Sequence, residues 1–462
     1  MQKLTKAVKL AYGIGDLGGN LFFTVMGFYL LYYLTNVVGL AAGLAGSALM
    51  IGKAWDAVTD PAVGYVSDRT RSRWGRRRPY MFVGAILLAF SMVAMFTAPA
   101  AGQMGLFLYV TLMYCVLNTA YTLVNIPYGA MTPELTDDFH ERTVVNGYRM
   151  SFAVVGTFIG AGAVLPIVSG LGGGPRGWMI MGAVMGVIMA ATTLIVVLGV
   201  KEGTRAKESG PQRNIIASYI DVLGMKTFLT ALIPWSLHIT GVNIIQASLL
   251  YYFRYIYGNE AGFQIALPIL LASAILCIPL WVRISRHIGK KKSYNTGMLI
   301  FAGSVLLFFL FGHQFGMWFS FVIMAVGGVG FATQYVMPYS ILPDVVEYDY
   351  SETGVRREGV FYGMWTFISK LGQALGIAAS GWILTAFGYR ETVAGAATAV
   401  QPDSALTGIR LLVGPVPAFL FVCGVIVLHF YPITGERYAQ IMSRIKLREA
   451  AAVPPRPEAE NT

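Results

Sequence analysis

Apolar runs of roughly 20 residues alternate with short polar breaks along almost the whole chain, the length that crosses a hydrocarbon core about 30 Å thick. The first six runs fall near 18–39, 42–66, 79–98, 104–128, 147–170 and 177–200. Six more fall near 227–256, 263–284, 294–313, 316–340, 359–387 and 408–431. This pattern predicts an all-α membrane protein of twelve transmembrane helices. The polar stretch KEGTRAKESGPQRNIIASYIDVLGMK divides the runs six and six. The expected domains are an N-terminal six-helix bundle over 1–200, a cytoplasmic linker over 201–226, a C-terminal bundle over 227–431 and a cytoplasmic tail over 432–462. The tail reads as a short amphipathic helix followed by disorder.

The second half echoes the first. NIPYGAMTPELTDD (125–138) corresponds to VMPYSILPDVVEYD (336–349), and the basic loop SRWGRRRP (72–79) to SRHIGKKKS (285–293). Each copy follows the equivalent span of its half, the second or the fourth. Internal duplication of this kind builds many secondary transporters, with the substrate site between the halves near the midplane.

Composition supports a membrane protein. The 462 residues are 56% hydrophobic and only 12% charged, against roughly 25% charged in soluble domains. A net charge of +11 would suggest nucleic acid in a soluble chain, but its placement argues otherwise. Lys3, Lys6 and Lys9, the six arginines between 69 and 78, the basic residues at 286–292 and 356–357, and those of the tail all fall on one side of the predicted spans. Arg176, Arg390 and Arg410 are the exceptions. By the positive-inside rule both termini are expected to be cytoplasmic, in a bacterial inner membrane, with anionic lipid and not nucleic acid as the partner of the basic loops. The N-terminus lacks a signal core and cleavage site and reads as a mature end. Cys115, Cys277 and Cys423 lie in apolar runs and read as helix-packing residues.

The candidate chemistry begins in the second span, KAWDAVTDPAVGYVSDRTRSRWGRRRP (53–79). Asp56 and Asp60 are four residues apart and share a helix face, and Lys53 can reach it. Ionisable groups inside a bilayer are expensive and point to function. Two carboxylates in a low-dielectric site repel unless a cation or proton lies between them. The pair therefore suits Na⁺ or H⁺, with Thr59 as a further oxygen ligand; the alternative is an ion pair with Lys53 that locks helices together. Lys370, deep in the eleventh span with no acid near it in sequence, needs a partner across the cavity, and the aspartates are the obvious one. Arg149 opens the fifth span and suits either a polyhydroxylated or anionic substrate or a gate pair with Glu134 or Asp344. Asn20, Asn125 and Trp365 are expected at the substrate, and Trp235, His238, Asn243 and Gln246 recur at helical spacing in the seventh span. Asp68 and Arg76, with Glu134 and Asp344, are expected at a cytoplasmic gate. No nucleotide-binding loop, metal-ligand cluster or nucleophile with a base occurs in the sequence, so no cofactor and no enzymatic activity are expected.

Several of these stretches together resemble one family. YGIGD, WDAVTDP, RSRWGRRRP, NIPYGAMTPE, ERTVVNGYR, LPDVVEYD, GVFYG and SKLGQALG are similar to the glycoside–pentoside–hexuronide:cation symporters of the major facilitator superfamily, over nearly the whole chain. The resemblance implies the major facilitator fold of two six-helix bundles. It assigns cation binding to Asp56 and Asp60, helped by Thr122, and it aligns Lys370 and Arg149 with functional residues. The family's melibiose carriers have asparagine where this chain has Thr59, acids at the positions of Asn20 and Asn125, and tryptophan at Gly129. The resemblance thus implies import of a sugar or glycoside other than melibiose, coupled to Na⁺ or H⁺, by a monomer. The broader family's sodium-dependent lysolipid transporters are the alternative.

Overall fold

The computed structural model describes residues 4–136, 139–202, 215–355, 357–392 and 400–452, which form helices joined by short turns. The side chain of Glu134, linker residues 203–214, Arg356 and the tail from 453 lie outside the described residues. The first six spans are Gly15–Asn36, Ala42–Arg69, Arg78–Met95, Gln103–Leu135, Phe139–Gly170 and Gly174–Gly199. Spans seven and eight are Lys226–Tyr255 and Glu260–Ile288, span eleven is Glu358–Ala386, and span twelve joins Asp403–Val413 to Pro415–His429.

Ten helical stretches are long and apolar enough to cross a membrane, and two local features bring the count to twelve. Span two carries too many charges to qualify by composition. Conversely, the stretch Lys290–Thr353 is 64 residues long, about 96 Å at 1.5 Å per residue, far more than one crossing. It reverses at Gly316, whose φ of +72° is open to glycine alone at no steric cost. Spans nine (290–315) and ten (317–353) result, the tenth ending later than its apolar run suggested because its last turns are polar. Large apolar side chains such as Phe90, Leu198, Leu276 and Trp318 point outward, as helices facing lipid require.

Three shorter helices complete the fold: Lys6–Gly13, Ile215–Leu223 in the linker and Gly435–Ala452 in the tail. Span two runs through Pro61 without a break. The seam between the halves is closest where span two meets span eleven. A Cβ on Gly381 would lie 2.2 Å from the Ala42 carbonyl oxygen, and one on Gly46 would lie 2.9 Å from that of Ala378. Small residues here let two backbones touch, the usual basis of helix association in lipid.

The two ends of the seam differ. Opposite the basic loops, hydrogen bonds cross between the halves. Asn36 Oδ1 accepts from the hydroxyls of Tyr389 (2.8 Å) and Tyr255, and Thr35 Oγ1 lies 2.6 Å from the Tyr251 hydroxyl. Glu391 accepts from the Ala42 N–H (2.8 Å), and Thr392 donates its N–H to the Thr35 carbonyl (3.1 Å). The Tyr32 hydroxyl donates to Glu260 at 2.5 Å, and Arg254 pairs with the same carboxylate. On the basic face these ion pairs of described residues each lie within a half: Asp68 with Arg77 at 2.9 Å, Asp344 with Lys290 at 2.6 Å, and Asp349 with Arg357.

The sequence echo has a structural meaning on this face. Arg77 donates to the carbonyl of Ala130, just after Pro127-Tyr128. Lys290 donates at 2.8 Å to the carbonyl of Ser340, just after Pro338-Tyr339. Each half thus ties its basic loop to the backbone behind its Pro-Tyr pair.

Candidate functional site

A cavity of about 500 Å³ lies between the halves, within the 300–1,000 Å³ usual for small-molecule sites. Its charged lining residues are Lys53, Asp60 and Lys370, and these belong to one cluster. Span two brings Asp56 and Asp60 to the same face, and span four presents Thr122 to them. The Thr122 hydroxyl lies 2.9 Å from Oδ1 of Asp56 and 2.9 Å from Oδ1 of Asp60. Lys370 reaches across from the second half, its Nζ 2.8 Å from Asp56 Oδ2 and also in contact with Asp60. Lys53 Nζ stands 3.7 Å from Asp56 Oδ2. Two carboxylates and two ammonium groups balance, so the desolvated cluster carries no net charge.

One detail bears on its chemistry. A hydroxyl has a single proton to donate, yet Thr122 is at hydrogen-bonding distance from two carboxylate oxygens. One of the two contacts lacks a proton unless a carboxyl is protonated or a cation enters. Asp56, Asp60 and Thr122 therefore fit either a proton or a hard cation, which prefers oxygen ligands. Thr59 does not join them. Its hydroxyl donates to the Asp56 backbone carbonyl at 3.2 Å, the usual self-capping of a threonine within a helix.

Other expected residues distribute unevenly. Asn20, Asn125 and Trp365 line the cavity, as do Trp235, Asn243 and Gln246. Trp365 and Trp235 stack, with centroids 6.0 Å apart and planes 7° from parallel. The Trp235 indole donates to Ser369 at 2.5 Å. The buried Trp365 N–H and the buried Gln334 carbonyl, both on the lining, have no protein partner. His238 is not on the lining; it is fully buried within the second half, 2.9 Å from the Tyr294 hydroxyl.

Arg149 does not pair with Asp344, nor does it line the cavity; the other expected partner, the Glu134 side chain, lies outside the described residues. Arg149 clasps Asp16, with Nε 2.5 Å from Oδ2, donates to Thr132 at 3.0 Å, and lies 5.0 Å over the Tyr128 ring. Asp344 is engaged by Lys290 in the other half. Asp16 was overlooked although it closes the YGIGD stretch. Its signal was an unexplained acid at the start of an apolar span. Of the residues expected at a gate, Asp68 meets Arg77 and not its neighbour Arg76. Glu202, also unforeseen, accepts from the backbone N–H groups of Arg76, Arg77 and Arg78 at 2.7–2.8 Å. It caps span three at its positive end.

Comparison with known proteins agrees with this architecture. The MFS/sugar transport protein family matches residues 11–435. An uncharacterised symporter of Synechocystis sp. is 31% identical, over 97% of this chain and 98% of that protein. A glucuronide carrier protein homologue of Escherichia coli is 27% identical over 97% of each chain. A sodium-dependent lysophosphatidylcholine symporter of Danio rerio is 26% identical over 94% of this chain and 87% of its own length. Among solved structures, a nucleoside transporter superposes with a TM-score of 0.68 at 14% identity, over 91% of this chain and 98% of the other. At that identity the likeness concerns the fold alone.

Proposed function

The chain belongs to the MFS/sugar transport protein family, and from that premise we propose that it imports a neutral sugar or glycoside together with a cation, by alternating access. It is a transporter and not an enzyme. The observation that carries the coupled reading is Lys370, which crosses from the second half onto the aspartate pair of the first.

Lys370 stands where a coupling cation would stand. With no cation bound, its ammonium offsets the two carboxylates and holds the halves together at mid-membrane. A cation entering between Asp56, Asp60 and Thr122 takes over that role and releases Lys370 toward the cavity. Substrate and cation then stabilise the same arrangement, so each raises the affinity for the other by an equal factor.

The lining favours an uncharged, hydroxyl-rich substrate. Beyond the self-neutralised cluster it offers amides and aromatic faces. The stacked Trp235–Trp365 pair is a flat apolar surface for a sugar ring. Where Asn20 and Asn125 replace acids, the site suits a sugar that makes neutral hydrogen bonds. The lysolipid alternative draws support from the Danio rerio relative.

We assign the basic face to the cytoplasm of a bacterial inner membrane, with both termini there. The seal on the opposite face then makes this the inward-facing arrangement. One chain supplies both walls of the cavity, so a monomer suffices.

The test is uptake and counterflow in proteoliposomes across a panel of glycosides and lysolipids, with Na⁺ and pH gradients varied separately. Accumulation of a glycoside that collapses when the cation gradient is dissipated is the expected result. Uptake indifferent to both gradients would remove the coupled reading, and uptake of lysolipids alone would install the alternative.

A further inference from the structure

Spans two and four run side by side in the same direction, and their register is fixed by three contacts. Gly52 faces Tyr114 so closely that a Cβ there would lie 2.2 Å from the ring, and a Cβ on Gly64 would touch Ile126 at 3.6 Å. Between them Asp60 meets Thr122, a separation of 62 residues in sequence. These three share that offset, while Thr122 also reaches Asp56 at a separation of 66 and Thr119 reaches Trp55 at 64, so Asn118 stands within about a turn of Asp56 along the paired helices. Asn118 shares the 114–118–122–126 stripe of span four, the face turned to span two, since residues four apart lie one above another on a helix. The Tyr114 side chain neighbours both Asp56 and Asn118.

Asn118 is fully buried. Its Nδ2 donates to the Tyr114 carbonyl at 2.8 Å, which settles the orientation of the amide. Its Oδ1, equally buried, has no hydrogen-bond partner. Buried polar atoms are almost always satisfied, and an exception calls for an explanation. Here the orphan is a neutral oxygen on the residue one turn before Thr122, whose hydroxyl meets both carboxylates. Thr59, the oxygen the sequence nominated for this purpose, lies about 100° round the helix from Asp60 and donates its proton to its own helix backbone.

We infer that Asn118 Oδ1 is a ligand of the coupling cation, beside Asp56, Asp60 and Thr122, and that this cation is Na⁺. This rests on the symport reading above and makes it more specific. A proton can satisfy the carboxylates and the threonine, but an amide oxygen is not protonated near neutral pH and would stay unpartnered. A hard metal cation is satisfied by oxygen ligands of all three kinds.

The test is Na⁺ titration of the purified full-length protein, read by isothermal calorimetry and by the rise in Tm. It compares the parent, Asn118→Leu (similar in volume, no oxygen), Asn118→Ala, Asn118→Asp (oxygen kept) and Asp56→Asn. The expected result is a Na⁺-dependent Tm in the parent, at least a tenfold loss of Na⁺ affinity in the leucine and alanine variants, and retention in the aspartate variant. Should the leucine variant fail to fold, the alanine variant carries the comparison. Na⁺ affinity within twofold of the parent in the leucine or alanine variant, with Asp56→Asn abolishing it, would overturn the role of Asn118 and leave coupling intact. A parent indifferent to Na⁺ that still accumulates substrate on a pH gradient would overturn the choice of Na⁺. A parent driven by neither gradient would overturn the symport reading itself.

Discussion

The two halves of this molecule match at the basic face and part company at mid-membrane. At the face, Arg77 and Lys290 each tie a basic loop to the carbonyl behind a Pro-Tyr pair. In the middle, span two carries Asp56 and Asp60, whereas the corresponding stretch of span eight, 271–285, reads LASAILCIPLWVRIS and holds no acid. The second half contributes a single ammonium, Lys370, and a stacked pair of tryptophans. The repeated parts are those that must move alike if the halves rock against each other. On the proposed function the unrepeated parts must differ, because one half would bind the cation and the other would offer the substrate platform.

This comparison can be broken in several ways, beginning with the largest effect. Asp56→Asn and Asp60→Asn should each reduce gradient-driven accumulation in proteoliposomes by about 100-fold, roughly 2.7 kcal/mol, while energy-independent counterflow persists. Next, Lys370→Gln removes the ammonium that competes for the carboxylates. Cation affinity should rise about tenfold, in keeping with the loss of one charge interaction at an intermediate dielectric, while accumulation falls; Na⁺ titration and uptake on the same preparation check both. Trp365→Ala, on the opposite wall, should weaken substrate binding roughly fivefold to tenfold, as loss of an aromatic contact worth about 1 kcal/mol or more implies. Its cation dependence should not change, and a shift in cation affinity would contradict the division of labour between the walls. The smallest effects test the repeated corners. Arg77→Gln and Lys290→Gln should slow turnover by about twofold to fivefold, the second by the larger factor, because the first leaves a mostly exposed acid, Asp68, and the second a buried one, Asp344. A tenfold difference between them would show that the two corners are not equivalent.

The seal opposite the basic loops gives a further handle. Asn36 accepts from two tyrosines of the other half, so Asn36→Val leaves both hydroxyls without their acceptor. The expected outcome is a shift toward the arrangement open on that face, by about 1–3 kcal/mol, seen as faster labelling of a cysteine placed at Asn125.

Much of the fold could be read directly from the chain. Twelve crossings follow from run length, and the division six and six follows from the linker. The two features that bring the count of apolar helices to twelve are local: charges within span two and the reversal at Gly316. The aspartate pair was legible because its spacing and its cost in a bilayer are both properties of one helix. Arg149 was legible as an arginine with a role, but its partner was not. Asp16 lies more than a hundred residues away, and nothing in either sequence segment specifies how spans one and five cross. Thr59 shows the converse error. A hydroxyl beside two acids looks like a ligand in one dimension, but it lies about 100° round the helix from Asp60 and turns back to its own backbone.

The sequence by itself thus determined which groups would be buried, because hydrophobic periodicity and the desolvation of charge act within a single helix. Only the tertiary structure decided who meets whom: Lys370 with both aspartates, Asp16 with Arg149 and Asn36 with two tyrosines. Those pairings depend on helix crossings and register, which arise from packing across the whole bundle and leave no mark on any one segment.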